Sequence, residues 1–474
     1  MSELTSLRAL VSIMADAVDT IERVYAEKET ALPSLDGQHN PRDASEMLRV
    51  DSEVALASRK IIAAAAQITA EVRSPIETIA LTAVAFHSAS ALRITSELNV
   101  VEVLREAGPE GMHVKELGEI CQVDPGTLAA NLRLLATGHI FRELAPGVFT
   151  NNLISSTMDK GKPSVALFAN RQDRLVGSNG VAALVEWGGD ECFKASAALG
   201  DALLDPMGER NPVKRALRFR EKSLFEWFSR PENKFRYNRF GLAMLAITPE
   251  SAATFGGFDW GALPPDAVVV DVGSGMAETS LAISRKHRHL RIVAQDLPTT
   301  MEAARRHWLQ YYPEHVERGM VEFQAHDFFN PQPPSVAADV FMIRHCLHNW
   351  ATDPAVTILQ NLRNAVAKPS TKLVVIESIL PAVSGGESHD PRTSGIPGAV
   401  SASAPPPLLP NGGAAAARLY SMNMTLQNMT SGGKRTVAEY VELLDKAGWR
   451  MTRIYRVPGT ETCHIVADPM EQIA

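Results

Sequence analysis

The sequence predicts an α/β chain: a doubly wound, mainly parallel sheet of the Rossmann-like kind, preceded by an α-helical region with winged-helix character. Three observations lead there. From Ala267 onward, short apolar runs recur between amphipathic stretches. A glycine-containing turn, Asp271-Val272-Gly273-Ser274-Gly275, follows the first of those runs directly. Residues 114–152 read as helix, helix and two-stranded wing. At 474 residues the chain exceeds one ordinary core, so two or three domains are expected.

Residues 1–27 and 45–72 have helical apolar spacing and are joined by the polar LPSLDGQHNPRD. Each needs an apolar partner, for which a second subunit is a candidate. Ile79 to Leu92 is the most apolar run. It is shorter than the ~20 residues that cross a bilayer and includes His87, so a buried helix is expected. VKELGEICQV and PGTLAANLRLLATGHI then supply two helices, and FRELAPGVFTNN a wing turning at Pro146-Gly147. The second helix, Pro125 to Thr137, carries one arginine, Arg133, and no lysine. With a net charge of −7, that argues against nucleic acid or an anionic membrane as a partner and for a structural or dimerising winged helix.

Residues 160–255 read as helices whose aromatic clusters, Leu224–Phe228 and Phe235–Phe240, suit a pocket wall and core packing equally. The expected domains are a helical and winged-helix dimerisation region at 1–160, a helical region contributing to a substrate pocket at 161–255, and a catalytic domain at 256–474. Strands in the last are expected at Val268–Val272, Leu290–Gln295, Val321–Phe323, Val340–Ile343 and Leu373–Ile376, with two more near Met451–Val457 and Thr462–Val466. Ala382–Ala417, rich in Pro, Gly, Ser and Ala, lacks periodicity and reads as a mobile surface insertion. Four scattered cysteines without a CxxC pair suit a reducing compartment, and the N-terminus has no basic region followed by a cleavage site, so a cytoplasmic protein is expected.

The glycine turn after the first strand permits close backbone approach of a ligand. Asp296 ends the second strand, where a carboxylate can accept from ribose hydroxyls. Glu278 stands where a dinucleotide fingerprint needs glycine, and it would repel a diphosphate. S-adenosylmethionine has no phosphate and carries positive charge that Asp271 would favour, so it is the expected cofactor. His326-Asp327-Phe328-Phe329 ends the third strand. Asp327 could bond an adenine and Phe328 stack on it, or Asp327 could simply cap a helix.

Methyl transfer to a phenol needs a base beside the methyl donor. Arg344-His345-Cys346-Leu347-His348-Asn349-Trp350 leaves the C-terminal end of the fourth strand, where ligands bind in such sheets. Two histidines three apart could instead suggest a metal, but no third ligand is near in sequence, and no metal is expected. Glu377, at the equivalent edge of the fifth strand, could orient His348 and raise its basicity.

These residues make the chain recognisable. LATGHIFRELAPGVFTNN, VVDVGSG, VAQDLP, HDFF, IRHCLHNW, VVIES and GGKRT resemble the plant and fungal small-molecule O-methyltransferases of the caffeate and sterigmatocystin types, over almost the whole chain. The resemblance implies a homodimer built through the N-terminal domain, a small aromatic hydroxyl substrate and a place in secondary metabolism. It implies His348 as general base flanked by Glu377, and a cofactor lined by Gly273, Gly275, Asp296, Leu297, Asp327, Phe328 and Arg344. Met244, Met424 and Asn428 fall where the family lines its acceptor pocket. Three positions depart from the family: Asn349 for aspartate, Ala277 for a third loop glycine, where a methyl group should be tolerable, and GGKRT for GGKERT. The last removes a second acid from beside His348 and is the one support for an alternative, a cofactor-binding regulatory protein that has lost turnover.

Overall fold

The computed structural model of the chain describes residues 3–205, 207–246, 254–334, 337–385, 390–457 and 460–471. They fall into two units, residues 11–61 with 65–248, and residues 1–10 and 62–64 with 249–474. The helical stretch that the sequence set apart at 161–255 therefore shares its unit, as far as 248, with the winged-helix residues. The helix Val181–Trp187 packs on both Phe86–Glu97 and Lys234–Ala246.

In the first unit, β1 (Met112–His113), β2 (Arg142–Ala145) and β3 (Val148–Thr150) form a small antiparallel sheet in the order β1-β3-β2. Helices Val114–Cys121 and Pro125–Thr137 precede the β2–β3 hairpin. Asp124 starts the second helix by accepting from the Thr127 amide at 2.7 Å, with Pro125 at the first position. Leu117, Leu128, Leu132, Leu135, Phe141 and Phe149 bury their side chains between these elements. Arg133 is held by Glu143 of β2 at 2.8 Å.

The apolar run Ile79–Leu92 is not the buried helix expected. It forms parts of two helices, Pro75–Ala83 and Phe86–Glu97, and residues 75–90 are almost entirely exposed, Ile76 at 82% and Ile79 at 71%. Hydropathy identifies a side that needs covering, but not whether the same chain covers it. None of the described helices is long and apolar enough to cross a membrane.

The second unit is built on seven strands in the order β6-β5-β4-β7-β8-β10-β9. These are β4 (Val268–Val272), β5 (Arg291–Asp296), β6 (Val321–Ala325), β7 (Val340–Arg344), β8 (Lys372–Ser378), β9 (Trp449–Arg456) and β10 (Thr462–Pro469). The first five are parallel; β10 runs antiparallel to β8 and β9. Both faces are covered, so the central strands are apolar throughout and divide by parity. Val270, Val272, Phe341, Ile343, Leu373 and Val375 pack with helices Thr352–Asn364 and Val437–Lys446. Val269, Ile292, Val340, Met342, Val374 and Ile376 pack with Glu278–Lys286 and Pro298–Tyr311. Parity thereby sends Asp271 toward the second layer and Glu377 toward the first.

Of the stretch read as a mobile insertion, Ala382–Ala417, residues 386–389 lie outside the described residues and 390–417 are packed instead. β9 is an edge strand, with one row of backbone groups unpaired by the sheet. The Ile454 amide donates to Pro397 O at 2.9 Å, and Arg456 donates to Gly398 O and Ala399 O at 2.9 and 2.8 Å. A Cβ at Gly398 would lie 1.9 Å from Ile454 O, and the residue is left-handed at φ +82°, so only glycine fits. Ala399 and Leu408 are buried. The segment lacks its own periodicity because it borrows order from the strand beneath it. Removing residues 390–417 is expected to lower the thermal midpoint by roughly 5 °C or more, since buried surface and edge cover go together. Scanning calorimetry reads this; an unchanged midpoint would show that β9 needs no cover.

Candidate functional site

The loop after β4 is tied to the end of β5. Gly273 (φ +67°) and Ser274 both donate their amides to Gln295 O, at 2.9 and 3.0 Å. Asp296 accepts from the Gly275 amide through one oxygen at 2.9 Å and from the Leu297 amide through the other at 2.8 Å. A side chain at Gly273 would meet Cys346 Sγ at 3.0 Å and Phe328 at 3.3 Å; at Gly275 there is open space. Ala277, the departure from glycine, is fully buried with φ +56°. A left-handed L-residue costs about 1–2 kcal/mol, against about 0.8 kcal/mol recovered by burying the methyl. The methyl therefore has room, and its cost lies in the backbone.

Asp271 is buried and accepts from Ser280 Oγ at 2.7 Å. Burial pushes its carboxyl up to about 6, with the Ser280 bond and the Arg344 charge opposing. Arg344 donates to Thr279 Oγ1, while its Nε and Nη2 are buried without a partner. Asp327 is exposed and caps a turn through the Phe329 amide at 3.0 Å rather than starting a helix. Phe328 and Phe329 stand edge-on to Trp350, with ring centroids 5.9 and 4.8 Å away. That contact ties the loop after β6 to the loop after β7.

These residues fit S-adenosylmethionine. The unpaired Arg344 donors suit its carboxylate, Asp271 its cationic end, and Asp296 its ribose hydroxyls. Half-exposed Leu297, Met276 and partly buried Phe328 offer apolar surface for a base. A diphosphate does not fit: Glu278 opens the helix here, paired with His307 Nε2 at 2.6 Å.

On the β7 side, His348 lies in the 3-10 turn Leu347–Asn349, and its Nδ1 is 2.9 Å from Glu377 Oε2. His345 approaches the same oxygen through Nδ1 at 3.4 Å, from a left-handed backbone with φ +47°. Glu377 has no exposed side-chain surface, and Oε1 has no partner. Burial opposes its ionisation, but the adjoining His348 and the hydrogen bonds of both imidazoles outweigh it and hold the carboxyl well below the usual range.

The sequence reasoning missed Arg435 and the part of His345. Arg435 is buried and donates to Leu347 O at 3.0 Å and Trp350 O at 2.7 Å, the carbonyls on either side of His348. The Gly433 amide donates to His348 O at 2.8 Å, and a Cβ at Gly432 would fall 2.1 Å from that oxygen. GGKRT thus holds the backbone of the His348 turn. Its letters were visible, but which way the arginine points was not.

The structure brings Asp271, Gly273, Gly275, Asp296, Leu297, Phe328, Arg344, His348 and Glu377 to the C-terminal ends of β4 to β8, with Asp327 exposed just beyond β6. Asn428 and Met424 lie on the helix Ala417–Thr430, which packs on the His348 turn. Asn428 is buried with Oδ1 unpartnered; Met424 is exposed. Met244 lies in the other unit, on the helix Lys234–Ala246.

Known proteins place this arrangement. The model of the O-methyltransferase domain matches residues 258–395. An O-methyltransferase of Armillaria gallica is 37% identical over 98% of this chain and 100% of its own length. The 4-O-methyltransferase 1 of Phanerochaete chrysosporium is 36% identical, covering 95% of this chain and 96% of that protein. Human N-acetylserotonin methyltransferase, solved with S-adenosylmethionine, shares the fold at a TM-score of 0.60 and 18% identity, over 84% of this chain and 99% of its own.

Proposed function

The chain belongs to the O-methyltransferase family and is an S-adenosylmethionine-dependent enzyme, and from that premise we propose that it methylates a hydroxyl of a small phenolic molecule with His348 as general base. The observation that carries this reading is the 2.9 Å contact between His348 Nδ1 and the buried Glu377 carboxylate. That bond keeps the proton on Nδ1 and leaves Nε2 as the acceptor for the phenol proton. As His348 gains charge, Glu377 is already ionised to balance it.

When bound, S-adenosylmethionine supplies an electrophilic methyl group. The chain's own task is to hold the acceptor oxygen in line, remove its proton and exclude water. Arg435, Gly432 and Gly433 fix the turn that carries His348, so the backbone clamp stands without the glutamate of GGKERT. This weighs against the regulatory alternative. Asn428 Oδ1, buried and unpartnered, suits an acceptor hydroxyl, with Met424 on the same helix as apolar lining.

We further propose that the exposed apolar helices at 75–97 meet a second copy of the chain. Ile79→Glu is expected to shift the protein from dimer to monomer in light scattering; a wild-type monomer would remove the proposal.

His348→Ala should abolish turnover with catechol or other simple phenols while calorimetry still finds cofactor binding. Turnover within a few-fold of wild type would take His348 out of the mechanism. Arg435→Met, which removes the side-chain donors to Leu347 O and Trp350 O, should reduce kcat roughly tenfold or more with little change in cofactor affinity. An unaltered kcat would make the clamp irrelevant to the base.

Asp271 gives a pH dependence whose sign is fixed. Its carboxyl, raised to about 6, is protonated below that pH, whereas a cationic ligand favours the ionised form. Binding must then expel a proton at acid pH. S-adenosylmethionine affinity is expected to rise about fivefold from pH 5 to pH 6 and to level off above 7. A flat calorimetric profile would show that Asp271 does not face the positive charge.

A further inference from the structure

We propose that His345, His348 and Glu377 form a site for a divalent ion of the zinc type, and that filling it silences the base. The silencing rests on the reading of His348 as base; binding of the metal does not. Among the described residues, these are the three side chains close enough to ligate one ion, with their donor atoms within 4.8 Å of one another.

The spacing is near what a tetrahedral ion needs. Zinc holds imidazole nitrogen and carboxylate oxygen at about 2.0–2.2 Å, which separates neighbouring ligand atoms by about 3.3 Å. His345 Nδ1 is already 3.4 Å from Glu377 Oε2; His348 Nδ1, at 2.9 Å, has to open by about 0.4 Å. The imidazole rings are 5.8 Å apart and tilted by 34°, and His345 keeps about a third of its side chain exposed, so it can turn toward its neighbour. Two imidazoles and one carboxylate suit zinc, cobalt or nickel rather than magnesium or calcium.

Two further features point to this site. Glu377 Oε1 is buried with no partner, an acceptor that a cation would satisfy. His345 reaches the carboxylate from a left-handed backbone that costs an ordinary residue about 1 kcal/mol or more.

Ligation through Nδ1 changes the tautomer. A neutral imidazole that gives Nδ1 to a metal carries its proton on Nε2, so no proton leaves the ring and no lone pair remains to take one from a phenol. The ion also breaks the bond between His348 and Glu377 that orients the base. Zinc should therefore inhibit methyl transfer reversibly, and a chelator should restore it.

The test uses cobalt(II), whose visible d–d bands report tetrahedral nitrogen and oxygen ligation in the full chain without any substrate. Wild type should show one band set per chain at one equivalent of cobalt, and zinc should bleach it. Glu377→Gln and His345→Asn should each lose it; asparagine tolerates the left-handed backbone, so the loop keeps its course. A thiolate charge-transfer band, pointing to Cys346, would overturn the proposal, as would bands that survive in both variants or are absent from wild type. If wild type binds cobalt as expected yet methylates no phenol, the metal site stands while the reading of the base fails.

Discussion

Glu377 places a negative charge where its side chain has no exposed surface, and the geometry around it follows from meeting that cost. An ion moved into the interior loses several kilocalories per mole of hydration, which only close hydrogen bonds and opposite charge return. Here two imidazoles return it. For both to reach one oxygen, the chain after β7 turns sharply: His345 adopts a left-handed backbone and His348 follows within a single 3-10 turn. A turn that tight leaves the carbonyls of His348 and Trp350 without backbone partners of the turn itself, and that of Leu347 with room for a second donor. Arg435 and the Gly433 amide take them up, and Gly432 is glycine because any side chain there would strike the His348 carbonyl.

The same carboxylate is anchored from behind by the sheet. Glu377 lies in an interior strand, with Cys463 of β10 opposite it and the adjacent Ile376 opposite Arg344 of β7. Its position therefore depends on β10, and β10 depends on β9, whose free edge the segment around Pro397–Ala399 covers. A stretch of low complexity thus bears on the placement of Glu377 through two strands. Asp271 and Arg344 illustrate the opposite arrangement. Their polar groups are left partly unmet, Arg344 with two unbonded nitrogens and Asp271 with a carboxyl reluctant to ionise. Groups left in that state are suited to a charged ligand more than to stability.

The parts that were legible in the sequence are those written in local pattern. The strand positions β4 to β10 follow from apolar runs, and Gly273, Asp296, His348 and Glu377 from their places at strand ends. The second layer of information is conformational and leaves no trace in residue type. Nothing about the letters His345 indicates a φ of +47°, and Ala277 gives no sign that its methyl sits on a left-handed backbone. Two readings failed because they took composition for behaviour. Ala382–Ala417 looked loose because it has no periodicity, yet Pro397–Ala399 within it are held by β9. Ile79–Leu92 looked buried because it is apolar, yet only Ala91 and Leu92 at its end reach the unit's core.

The exchange of GGKERT for GGKRT shows how a motif can lose a residue and keep its mechanical task. A second acid beside His348 would share in balancing its charge, and its absence leaves that work to one carboxylate. Glu377 can bear it because it is already fully ionised and buried, where each Coulomb contact is worth more than at the surface. What one carboxylate cannot do is stop the ring from swinging, since a single hydrogen bond leaves rotation about its axis. Fixing the main chain on both sides of His348 removes that freedom, and a guanidinium with two donors in a rigid fork is the side chain suited to grasp two carbonyls at once. Charge and orientation are thus separable requirements on the histidine proposed as base, met here by Glu377 and Arg435 respectively.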